Sequence, residues 1–171
     1  MLRYKRPTSL SAKGAEFIAR QEGTVLHPYN DAAGHATIGV GHLLHKGPVT
    51  AADRYRWRNF THAKAMELLR LDVKSANASV RTHVRAKINQ RQHDALVSFA
   101  FNVGTGGFQS SDLLKTINRY PGSPKGIISP LAKSKIRAQF LRWTKAGGRS
   151  LPGLVRRRNE EARLFNKGKY T

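Results

Sequence analysis

Two acids and a hydroxyl draw attention first: Glu22, Asp31 nine positions later, and Thr37 six beyond that. Two carboxyl groups can cleave a glycosidic bond when they divide the work. One hands a proton to the leaving oxygen, and the other, ionised, activates a water on the opposite face of the sugar. A Glu, an Asp and a Thr at any chosen spacing are in most helical proteins solvated surface residues. Here, however, the whole chain carries only 10 Asp and Glu, and two of them bracket the one segment that reads as a hairpin. Their local settings also differ, as roles of acid and base require.

Those settings come from the elements around them. Ser9 or Ser11 can cap a first helix bearing Leu10, Phe17 and Ile18, and Gly23 can supply the left-handed residue that stops it. Glu22 then sits in the last turn, where the partial negative charge of the helix end disfavours a second negative charge and suits a proton donor. From Tyr29 to Leu44 the helical period gives way to turn chemistry at Asn30–Gly34 and to alternation of Ala36, Ile38 and Val40 with Thr37, Gly39 and Gly41. This predicts a small antiparallel sheet, with Thr37 and the two glycines on a bare face against which a polymer can lie.

The remainder reads as helix. Thr61 can cap a long amphipathic helix over about 61–80, marked by Met66, Leu69, Val73, Ala76 and Val80 and able to join two lobes. Ala95 to Val103 is apolar nearly all round and predicts a buried central helix ended by Gly104. A further helix starts at Ser110 or Ser111, a loop runs from Tyr120 to Pro130, another helix carries Leu131, Phe140, Leu141 and Trp143, and a basic helix follows Pro152-Gly153. The chain is therefore expected to be α+β and mainly helical: one domain over 1–171, with a sheet-containing lobe at about 22–62 and a helical lobe at about 81–171 plus the N-terminal helix.

With 31 Lys and Arg the net charge is +21, far more than solubility needs, so an anionic partner is expected: nucleic acid, anionic lipid or an acidic wall polymer. Nucleic acid fits worst, because no reading helix or aromatic platform is evident and the charge is spread along the chain. Without cysteine there are no disulfides or thiolate ligands. The start of the chain has no apolar run of signal-peptide length and no segment spans a membrane, so synthesis and retention in a cytoplasm are expected. His42 with His45 lacks an evident third metal ligand, and the glycine clusters lack the rest of a nucleotide loop; no metal or cofactor is expected.

The run from Glu22-Gly23 through Pro28-Tyr29-Asn30-Asp31 to Thr37-Ile38-Gly39-Val40-Gly41-His42 resembles the active-site signature of the phage-type lysozymes of glycoside hydrolase family 24, the endolysin muramidases. Two later blocks agree: Asp94 to Gly104, and Trp143 with Gly147-Gly148 and Gly153-Leu154-Val155-Arg156-Arg157-Arg158. The resemblance covers most of residues 15–165. It implies a lysozyme-like fold and peptidoglycan as substrate, cleaved with inversion at the β-1,4 bond from N-acetylmuramic acid to N-acetylglucosamine; a monomer is expected. Glu22 would be the acid, Asp31 the residue directing water and Thr37 its helper. The resemblance further implies substrate contacts at Ser98 and Phe101, on an exposed edge of the central helix, and a structural pair of His42 with Asp72. One of Arg156, Arg157 and Arg158 would reach Glu22, the others forming a solvated face. Release to the wall would need a separate membrane pore. The rival reading is a cationic antibacterial protein whose last helix, through a stripe of Leu154, Val155, Ala162, Leu164 and Phe165, binds anionic lipid or lipopolysaccharide. The basic segment Arg54 to Arg58 departs from a minimal family member.

Overall fold

A computed structural model describes residues 4–120 and 129–170. The chain divides into two compact units, residues 15–74 and residues 1–14 with 75–171. The first helix, α1 (Ala12–Glu22), begins in the second of these and continues into the first. Ser11 caps it, its hydroxyl accepting the Gly14 N–H at 3.0 Å, and Gly23 at φ +84° stops it by returning its N–H to the Ala19 carbonyl.

The unit of residues 15–74 is built on a three-stranded antiparallel sheet of β1 (Val25–Asn30), β2 (Ala36–Gly39) and β3 (His42–His45), in that order. Every residue of β2 is buried, so the predicted split into a buried and a bare face does not hold. The reason is α3 (His62–Asp72), which packs on β2: Phe60 and Ala65 would stand 3.4 Å from a Cβ at Gly39. Gly39 and Gly41, at φ +67° and +75°, turn the chain from β2 into β3 and do not form a platform. A short helix, α2 (Ala51–Arg56), follows the sheet and buries none of its residues. Its capping box pairs Thr50 with Asp53.

The segment expected as one helix over about 61–80 is two: α3 ends at Val73, whose N–H reaches both Leu69 and Leu71 carbonyls, and α4 (Lys74–His83) follows. Thr61 caps α3 as its type suggests.

In the helical unit the central element is α5 (Gln90–Ser110), interrupted at Gly104, whose φ of +80° and ψ of 157° are not helical. Around it lie α6 (Asp112–Arg119), capped by Ser111, then α7 (Pro130–Leu141) and α8 (Pro152–Lys167). Phe99 is the hub of the core, its ring edge-on to Phe140 and Trp143 at 5.5 Å each and to Phe108 at 6.4 Å. A two-residue hairpin, β4 (Lys145–Ala146) with β5 (Arg149–Ser150), precedes α8. Most of the loop predicted from Tyr120 to Pro130 lies outside the described residues. Of the apolar stripe that the rival reading needs on α8, Ala162, Leu164 and Phe165 are buried inside the unit, where Phe165 meets Phe140 at 6.1 Å, while Leu154 is half-buried and Val155 exposed.

Two buried carboxylates brace this unit. Asp94, on α5, accepts the Ser11 N–H (3.0 Å) and hydroxyl, the Gln90 amide (2.8 Å) and the Tyr170 hydroxyl (2.6 Å), so both ends of the chain fasten to one side chain. Gly14 is fixed by that contact, since a Cβ there would lie 2.6 Å from the Asp94 carboxyl carbon. Glu161, fully buried on α8, accepts from Ser98 (2.7 Å), Arg157 Nε (3.1 Å) and Arg158.

Candidate active site

Asp31 opens the turn between β1 and β2. Its N–H reaches the His35 carbonyl and its carbonyl accepts from Gly34, both at 2.9 Å, while Gly34 takes the positive φ that closes the turn. The side chain folds back on the same turn: Oδ1 accepts the N–H groups of Ala33 and His35, each at 2.9 Å. One carboxylate oxygen is thus fully committed to the backbone. Oδ2 faces Thr37, whose Oγ1 stands 3.5 Å away.

Thr37 has a single hydroxyl proton, and its better acceptor is the His35 carbonyl at 3.1 Å. With the proton directed there, the hydroxyl's lone pairs remain for an incoming donor, next to the open oxygen of Asp31. Thr37 is only 3% exposed, which fixes the hydroxyl in place. The His35 N–H above all, helped by the Ala33 N–H, holds the Asp31 carboxyl below its ordinary value, against the opposing effect of desolvation. The group is ionised at neutral pH and points one lone-pair-bearing oxygen outward, as a base toward water must.

Glu22 is the last residue of α1 and is exposed, in the same unit as Asp31 and Thr37. The structure brings Asp31 and Thr37 together directly. It also brings together His42 and Asp72: the Nδ1 of His42 lies 3.0 Å from both carboxylate oxygens, linking β3 to α3. His45 has a different carboxylate, Asp53, at 2.9 Å from its Nε2, so the two histidines serve separate contacts.

The other expected contacts differ in their surroundings. Ser98 is fully buried with its hydroxyl given to Glu161, so it is not on an exposed edge and cannot meet a substrate. Gly39 is buried against Phe60 and Ala65, whereas Gly41 is exposed with open space around it. Phe101 is half-buried. Arg156 is exposed, but Arg157 and Arg158 are buried at 4% and 0% exposure, which removes them from the solvated face expected for the last helix. Arg158 also bonds Asn102 and the Trp143 carbonyl and lies 4.8 Å over the Phe99 ring.

Two neighbours of Asp31 escape a reading by residue type. Tyr29 pairs with Thr37 across β1 and β2, and its phenol is pushed above the ordinary value by burial and by the charge of Asp31. It keeps its proton at neutral pH. His35 supplies one of the two backbone donors to Asp31 Oδ1, and its ring is pinned by the Gly47 N–H at 3.1 Å from Nδ1. The spacing Asp-Ala-Ala-Gly-His, an Asx-type turn, was the signal available for His35.

Similarity to known proteins follows the same residues. A model of the phage lysozyme family matches residues 19–161. The endolysin of Salmonella phage P22 is 34% identical over 154 residues, 90% of this chain and 95% of that protein. The endolysin of Bacillus phage PZA is 37% identical over 161 residues, 93% of this chain but 55% of that protein, so the chain spans about half of this relative's length. Among solved structures, an endolysin from the Escherichia coli O157:H7 phage FAHEc1 superposes with a TM-score of 0.76 at 28% identity, covering 95% of this chain and 96% of the other.

Proposed function

Because the chain belongs to the phage lysozyme family, we propose that it is an endolysin that hydrolyses the β-1,4 bond between N-acetylmuramic acid and N-acetylglucosamine in bacterial peptidoglycan. The observation that carries this reading is the asymmetry of Asp31: one oxygen saturated by backbone donors, the other open beside a buried hydroxyl. A water that gives one proton to Asp31 Oδ2 and the other to Thr37 Oγ1 has its own lone pair turned away from both, toward an anomeric carbon. As that oxygen attacks, Asp31 takes the proton. Glu22, from the end of α1, gives its proton to the leaving oxygen on the opposite face. The chemistry then inverts the anomeric configuration, and it calls for carboxyl groups roughly 6.5–9.5 Å apart with one water between.

The net charge of +21 draws the protein to an anionic wall and raises the encounter rate at low salt. Among the described residues no helix is long and apolar enough to cross a membrane, and we place the encounter with the wall after passage through a separate pore.

Clearing of purified peptidoglycan tests the reading. Glu22→Gln and Asp31→Asn should each cut the rate by about 10²–10⁴, with circular dichroism and Tm close to those of the parent. Equal clearing by all three proteins would overturn it.

A further inference from the structure

The segment from α2 to Arg58 has no account in the proposed catalysis, and α2 adds nothing to the core. Between Lys46 and Met66 the chain holds five Lys and Arg against one carboxylate, Asp53. That carboxylate is engaged by Thr50 and His45. Arg54, Tyr55, Arg56, Trp57 and Arg58 alternate cation and aromatic along this stretch, and α2 buries no residue at all. Tyr55 is 71% exposed, the most exposed large apolar side chain among the described residues.

The side chains are also arranged. The guanidinium of Arg58 lies 4.3 Å over the Tyr55 ring and donates to the Tyr55 carbonyl at 3.0 Å. The Arg56 guanidinium lies 5.9 Å over the Trp57 ring, and Trp57 is anchored edge-on to Phe60 at 5.4 Å. None of Arg54, Arg56 and Arg58 pairs with a carboxylate among the described residues. A guanidinium stacked on a ring keeps its forked donors for a planar or tetrahedral anion. An aromatic body with an adjacent cation suits the headgroup layer of a bilayer, where rings partition and phosphates are dense.

We propose that Arg54–Arg58 is a docking surface for an anionic bilayer: the three guanidinium groups meet lipid phosphates, and Tyr55 enters the interfacial layer. On α8 Ala162, Leu164 and Phe165 are buried, which leaves Leu154 and Val155 of its stripe to meet a bilayer. The inference does not depend on the hydrolase reading.

The test uses the full chain with vesicles of phosphatidylcholine, alone or with phosphatidylglycerol. Binding should require the anionic lipid and weaken with salt. Each arginine near such a surface is worth roughly five-fold, so the triple variant Arg54→Gln, Arg56→Gln, Arg58→Gln should bind about 100-fold more weakly, and Tyr55→Ser should also lose affinity. A charge-matched control, Arg163→Gln, Lys167→Gln, Lys169→Gln, removes three exposed cations of the C-terminal region and should keep most of the binding. Brominated lipid should quench tryptophan emission in the parent and not in Trp57→Phe. Clearing of purified peptidoglycan by the triple variant should be unchanged. Equal loss in triple variant and control would overturn the proposal, as would quenching that persists without Trp57. Loss of binding to purified wall with vesicle binding intact would reassign the surface to a wall polymer and overturn it equally.

Discussion

Asp31 in the hairpin and Glu161 in the helical unit are both carboxylates at the centre of a hydrogen-bond cluster, and they do opposite things. Glu161 is wholly buried, with two arginines and a serine hydroxyl filling its oxygens. It has nothing left to offer a ligand. Asp31 is at the surface, satisfied on one side by its own turn and open on the other. A buried carboxylate whose two oxygens both hold internal donors is a structural clamp; one held ionised with an oxygen to spare can still meet a ligand.

Substitution should separate the two cleanly. Asp31→Asn should remove most of the activity, while urea unfolding moves little. Glu161→Gln should do the reverse in stability: it removes the buried charge that Arg157 and Arg158 share and should cost about 3–5 kcal/mol, read from the urea midpoint. A small stability loss there would mean that the cluster is wetter than its burial indicates.

Acid should distinguish the regions again. His93 in the helical unit is lowered to about 4, mainly by burial, and its Nε2 meets the Asn77 side-chain oxygen at 2.8 Å. Because the unfolded chain binds this proton near pH 6.5 and the folded one does not, stability falls as pH drops from about 6.5 to about 4, by about 3 kcal/mol in all. His93→Gln should flatten that slope; an unchanged slope would show that another group carries it. The Asp31 carboxyl sits below its ordinary value, so acid should weaken the helical unit before it protonates Asp31.

Much of this was written in residue types. The Gly23 stop, the caps at Thr61 and Ser111, the break at Gly104 and the Asn30–Gly34 turn follow from local backbone chemistry, which a single sequence carries. What escaped depended on partners distant in the chain. Ser98 and Arg157 look like surface residues until Glu161, 63 positions from Ser98, is brought to them. The buried face of β2 required knowing that α3 would cover it. The α2 helix escaped because a solvated helix has no apolar period, although the Thr50–Asp53 capping box was there to be read.

Weaker contacts should give graded effects. Tyr170, whose phenol is pushed up to about 12 by burial and by its bond to Asp94, ties the C-terminus down; Tyr170→Phe should cost about 1–2 kcal/mol, seen in the urea midpoint. The smallest effect is expected at His45, whose imidazole is raised by its hydrogen bond to Asp53. Its contribution is complete below the ordinary histidine range and is lost as pH rises through the folded value. His45→Gln should therefore lower Tm by about 2 °C or less at pH 6, and by less still at pH 9.

The central claim is that Asp31 and Thr37 aim a water at the sugar, with no covalent step. Proton NMR of the reducing end in the first moments of peptidoglycan digestion reads this directly. The account predicts the α anomer at first, relaxing later to the equilibrium mixture; initial release of the β anomer would mean retention and would contradict it.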